Sequence, residues 1–236
     1  MLPLSYWEAL RFLAEPFELM KFTLIFDGDL PAGDNKRTVY ASKIRNALHD
    51  QLADLWDSHV IFRQLAHTAR TQLHGSPWSN GEYASPILPD FKGKNPRPLQ
   101  PGQVDLVAPI PVTNVGSFIP IIRDSLYLAC AIDILFLRHE EPMKLFREGG
   151  DLDNRIKCFF DGLRMPNEEE GRNGEALTAD PLYCLLEDDR LISDFSVRTG
   201  RLLGKGEKAR FAVRIQAEVT VKVLRVMDQN QCLIGG

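Results

Sequence analysis

Asp151, Asp153, Asn154, Lys157 and Asp161 stand within one stretch of eleven residues, and Glu187, Asp188 and Asp189 follow a short apolar run further on. Carboxylates at that density repel one another unless a cation or a basic group sits among them. Hard divalent cations such as Mg²⁺ take oxygen ligands, typically one or two carboxylates together with water and substrate phosphate. The chemistry that suits such a group is phosphodiester hydrolysis, in which a bound metal lowers the pKa of water and stabilises the charge that builds on the phosphate. Lys157, one turn beyond Asp153, could hold a phosphate oxygen or keep the carboxylates ionised.

Each residue also has a plainer reading. Taken alone, Asp151 and Asp153 are a solvated loop charge and a helix N-cap, which need no metal. Lys157 and Asp161 have the spacing of a surface ion pair worth a few tenths of a kcal/mol. Glu187 reads as part of a polar turn, and Asp161 reads as structural. The order of Asp151, Asp153, Asn154 and Lys157 with the later acidic pair is what tips the balance toward chemistry.

The elements that must position these groups follow from periodicity. Residues 126–137 form a strongly apolar run with Asp133 inside it and read as a buried central strand. Asp153 then falls where an N-cap belongs, and 154–163 reads as a helix with Ile156, Phe159, Phe160 and Leu163 on its apolar face. The polar, glycine-containing 167–181 reads as a loop, and 182–186 as a short strand delivering Glu187–Asp189. Earlier, 5–13 has helical spacing ended by Pro16, 21–26 reads as a strand, 27–35 as a loop, and 40–56 as a helix with Ile44, Leu48, Leu52, Leu55 and Trp56 on one face. Near the end, 210–226 alternates, with Phe211, Val213, Ile215, Ala217, Val219, Val221 and Val223 on one side. That pattern fits one long half-exposed strand or a hairpin.

Nine of the fifteen prolines lie between residues 74 and 120, so 58–120 reads as a long irregular insertion with short strands near 104–107 and 112–119. Its Lys92, Lys94 and Arg97 could touch a phosphate backbone, though a solvated loop is the weightier reading. The expected organisation is an N-terminal helical extension over 1–20 and one α+β domain over 21–236, a mixed sheet packed with helices.

With 44% hydrophobic and 25% charged residues, the 236-residue chain has the composition of a globular protein. It holds no apolar run of membrane-spanning length and no basic segment before the apolar N-terminal residues, so neither a membrane span nor a secretory signal is expected. The four cysteines stand far apart without a C-x-x-C pair and read as reduced residues of a cytoplasmic protein. The five histidines lack metal-ligand spacing, and Trp56 and Phe62 read as core. A net charge of −4 argues against binding nucleic acid by charge over the whole surface and leaves a local basic patch open. No phosphate-binding glycine loop, Ser-His-Asp set or dinucleotide fingerprint is present.

The pattern D-x-D-N-x-x-K-x-x-x-D at a helix start, carried here by Asp151, Asp153, Asn154, Lys157 and Asp161, followed by a strand and Asp188–Asp189, resembles the RusA-type Holliday junction resolvases. The early strand, the helix around 44–56, the strand before Asp151 and the final alternating strand occur in that family's order, so the likeness spans about two-thirds of the chain. The resemblance implies a small α+β homodimer, dependent on Mg²⁺ (with Mn²⁺ a substitute), that cuts branched DNA symmetrically at four-way junctions. It implies Asp151, Asp153 and Asp189 as the acidic metal-binding residues, Asp188 beside them, and Lys157 as the catalytic lysine. It also places DNA contacts around the loop after the first strand, where Lys36, Arg37, Lys43 and Arg45 stand; a solvated helix end is the equal alternative there. The chain departs from the family in its acidic charge, in residues 58–120 and in the N-terminal helix. A binding or assembly module with little cleavage, or a protein whose metal site serves stability, are the competing readings.

Overall fold

The computed structural model describes residues 17–30, 37–59, 62, 70–75, 82–86, 103–105, 108–139, 151–171, 177–203 and 212–224. The helix expected over 5–13, Lys36, Lys92, Lys94 and Arg97 lie outside them. The strands are β1 (Phe17–Asp29), β2 (Arg70–Gly75), β3 (Glu82–Pro86), β4 (Gln103–Asp105), β5 (Ile110–Val112), β6 (Gly116–Ile122), β7 (Leu128–Arg138), β8 (Leu182–Leu186), β9 (Ile192–Arg201) and β10 (Ala212–Val223). The helices are α1 (Arg37–Ser58), α2 (Asp151–Leu163) and the single-turn α3 (Glu168–Gly171), with 3-10 turns at Asp124–Leu126 and Asp189–Leu191. The molecule is therefore α+β.

The main sheet has the order β1-β10-β7-β9, antiparallel except for the parallel β7–β9 pair. Period-two alternation sends Val213, Ile215, Ala217, Val219, Val221 and Val223 of β10 into the core beside Leu128, Cys130, Ile132, Ile134 and Phe136 of β7. The alternating segment is thus one strand and not a hairpin. Its register places Asp27 opposite Arg214, and the outward carboxylate and guanidinium meet at 2.6 and 2.9 Å. Asp133 of β7 points to the outer face, where the Ser196 hydroxyl donates to it.

α1 buries Ala41, Ile44, Leu48, Leu52 and Trp56, one stripe at 3.6-residue spacing, and Trp56 stacks on Phe62 with ring centroids 5.3 Å apart. The same helix covers the outer edge of β1: the Gln51 amide accepts from Ile25 N at 2.9 Å and donates to Ile25 O at 2.8 Å, as a neighbouring strand would. α1 and α2 cross closely at Gly162, where a Cβ would stand 2.6 Å from the Ile44 side chain and 3.1 Å from Ala41 O. Asn46 accepts from Thr178 N at 2.9 Å, and His49 Nδ1 accepts from Tyr183 N at 3.0 Å, which ties α1 to β8 and its approach.

A second sheet, β5-β6-β8, joins the hairpin β5–β6 to β8 in parallel and shares the main core through Ile119, Ile121, Ile122, Leu185 and Leu186. The expected insertion boundary at residue 120 falls inside β6, so the end of that proline-rich region is integral to the fold. Within it, β3-β2-β4 form a third, antiparallel sheet. Strand β9 carries Ser193, Asp194, Ser196, Arg198 and Thr199 and has little apolar alternation, because it lies at the sheet edge with one face in solvent.

Candidate active site

α2 begins at Asp151, so Asp153 lies in the first helical turn and does not take the expected N-cap position. The helix is fixed by its buried side: Ile156, Cys158, Phe159 and Leu163 enter the core, and the buried Arg155 guanidinium donates to Leu30 O. That rotation leaves Asp153 and Lys157 in solvent, where Lys157 Nζ meets Asp153 Oδ2 at 2.6 Å with side-chain exposures of 52% and 67%. Lys157 therefore pairs one turn back with Asp153, and the alternative pairing with Asp161 does not form. The described structure includes the Asp151 backbone but not its side chain.

Strand β8 delivers the second acidic group. Glu187 is structural: its N–H donates to Ile122 O at 3.0 Å, and its Oε2 accepts from Asp124 N at 3.0 Å. Asp188 caps the following 3-10 turn, its Oδ1 accepting from Arg190 N at 3.0 Å. Asp189 opens the turn and is exposed. Arg190, which the sequence did not single out, reaches Asp124 at 3.2 Å and stands 3.9 Å from Asp188. The turn that Asp189 opens packs against α2 and β7. Among the described residues, no group of three or more His, Cys, Asp or Glu is gathered to hold a metal ion. The exposed oxygen donors suit a hard cation, but Asp153 and Asp188 as placed already hold an ammonium and an amide.

Asp161 lies on the buried side, 7% exposed, between two cations. Arg37 Nε donates to its Oδ2, and Arg164 Nη2 to its Oδ1 at 3.0 Å. Arg164 also meets Glu170 at 2.7 and 3.0 Å. Glu170 and Asn167 form a reciprocal capping box: Glu170 N donates to Asn167 Oδ1 at 2.8 Å, and Asn167 N to Glu170 Oε2 at 3.0 Å. The spacing N-x-x-E at 167–170 is the sequence signal for this turn inside the expected loop. Burial works against the charge on Glu170, but the hydrogen bonds from Arg164 and Asn167 and the cationic surroundings outweigh it and lower its pKa. Burial likewise opposes the charge on Arg164, and Glu170 and Asp161 outweigh it and raise its pKa.

The basic residues proposed to face DNA separate. Arg45 is only 2% exposed and points inward: its Nε donates to Arg164 O at 2.7 Å and its Nη2 to Asp161 O at 2.8 Å. These carbonyls end α2, where the last turn has no intrahelical donors, so Arg45 caps a neighbouring helix and does not face a phosphate. Arginine is rarely buried without partners, and here the carbonyls of Asp161 and Arg164 at the end of α2 are among those of Arg45. Arg37 is half-buried on Asp161, and Lys43 is exposed with its Nζ 4.9 Å from the Tyr40 ring centroid.

Comparison of the chain with protein-family models, with curated proteins and with solved structures finds no match.

Proposed function

We propose that the protein is a Mg²⁺-dependent, structure-selective DNA endonuclease of RusA type, with a RusA-like fold, acting as a homodimer on four-way or related branched DNA. The observation that supports it is the contact between the turn that Asp189 opens and α2, the helix whose sequence carries Asp151, Asp153 and Lys157. Asp151, Asp153 and Asp189, with Asp188 beside them, would hold the metal. When bound, the metal supplies a nucleophilic water near neutral pH and neutralises charge on the scissile phosphate. Lys157, released from Asp153, positions a phosphate oxygen. Lys43 stands on the exposed face of α1.

Cleavage of a labelled synthetic four-way junction, with linear duplex as control, tests this reading. We expect symmetric nicking with Mg²⁺, none with EDTA, and none with Asp153→Asn. Asp153 is exposed, so the substitution should change stability by less than about 0.5 kcal/mol. A folded protein that never cuts, under several divalent metals, refutes the nuclease.

The inward placement of Arg45 and the Arg37–Asp161 pair favour a second reading, a binding or assembly module of the same fold with little or no cleavage. Junction binding without turnover would select it.

A further inference from the structure

The two edges of the main sheet are treated differently. At β1 the Ile25 N–H and C=O are taken by Gln51 of α1. At β9, the opposite edge, no further strand is paired among the described residues. Alternate residues of a strand bound on one side direct their N–H and C=O away from it, so β9 offers a template for another strand. Its face pattern is equally open. Phe195, on the core side, is 53% exposed and meets the Phe160 ring edge to face, with centroids 5.2 Å apart. Asp194 and Arg198 are exposed on the outer face, with no ion-pair or hydrogen-bond partner among the described residues.

The β9 sequence fits itself. A two-fold axis perpendicular to the sheet keeps both faces continuous, and then each residue must oppose one of the same parity. Placing the axis at Ser196 sets Asp194 against the partner subunit's Arg198, twice, and Phe195 against the partner subunit's Val197, twice. Shifting the axis by one residue in either direction loses both ionic pairs: Asp194 then faces Ser196 or Gly200. Opposite charges directly across antiparallel strands stabilise, and like charges destabilise.

We propose that two copies of this chain associate through β9, antiparallel about Ser196, merging their four-stranded sheets into one of eight. The Asp194–Arg198 pairs fix the register, and Phe195 with Val197 continues the apolar layer across the joint. This deepens the homodimer in the proposed function by naming its surface, but it does not depend on catalysis, and it is read by mass and not by cleavage.

The test is sedimentation equilibrium of the full chain over a range of concentrations, with circular dichroism to show that each variant is folded. Wild type should sediment as a dimer. Asp194→Arg and Arg198→Asp should each raise the dimer dissociation constant about tenfold or more, since each turns two opposed pairs into like charges. The double variant D194R/R198D should restore the wild-type value. A monomeric wild type overturns the proposal. So does a dimer that neither single variant weakens, or a double variant no tighter than the singles.

Discussion

Replacing Arg45 separates a structural cation from a DNA-facing one. In Arg45→Met an apolar stem remains, but the guanidinium that lies over the Phe118 ring is lost, and Arg164 O and Asp161 O lose donors now at 2.7 and 2.8 Å. A hydrogen bond to a charged group contributes about 1.5–3 kcal/mol, and a buried acceptor left unmet costs its desolvation. Two such bonds at a site 2% exposed give a loss of about 3–5 kcal/mol once water reaches part of the gap. For a chain of this length that corresponds to a fall in Tm of about 6–20 °C. Arg45→Lys should recover part of the loss, because one compact ammonium cannot span both carbonyls. Urea titration followed by circular dichroism measures the effect. The midpoint should drop while the slope stays constant, since the surface exposed on unfolding does not change. A loss below about 1 kcal/mol, or a fall in DNA affinity at unchanged stability, would refute the cap and return Arg45 to the DNA-facing set.

Other consequences can be checked independently. Gly162→Ala should destabilise by about 1–3 kcal/mol in the same titration: the helix-propensity gain of about 1 kcal/mol is outweighed by the new Cβ 2.6 Å from Ile44, and a stabilised variant would show that the helices can move apart. The lowered pKa of Glu170 means that its contribution to stability is present above the ordinary carboxylate value of 4.5 and is lost as pH falls through its lower folded value; Glu170→Gln should flatten that acid limb, seen in Tm against pH, and an unchanged limb would remove Glu170 as its source. Burial pushes the Cys130 thiol up to about 12, offset only in part by Lys222, and the Cys158 thiol up to about 11. In a Cys232→Ser background the native protein at pH 8 should therefore resist a thiol reagent, and all three buried cysteines should react after denaturation; fast labelling of the folded protein would contradict their burial.

Elements whose burial is one-sided are legible in residue order. The alternation of β10, the 3.6-residue stripe of α1 and the apolar run of β7 follow from which face each element must hide, and that is written in residue spacing. The acidic segments were legible for the same reason: unbalanced carboxylates stand out against a helix and strand that otherwise read as core. Partner choice was not legible. Whether Lys157 pairs with Asp153 or Asp161 depends on the rotation of α2, which its buried face sets, and both spacings are equal in sequence. Arg45 looked like a surface cation because the carbonyls that bury it lie more than a hundred residues away. Edge strand β9 carries too little apolar alternation to announce itself and becomes a strand through pairing with β7, whereas the strand expected at 112–119 is divided between the end of β5 and β6. Local periodicity decides which face is buried, while the ionic partners and the sheet edges are decided by segments that only the tertiary fold brings together.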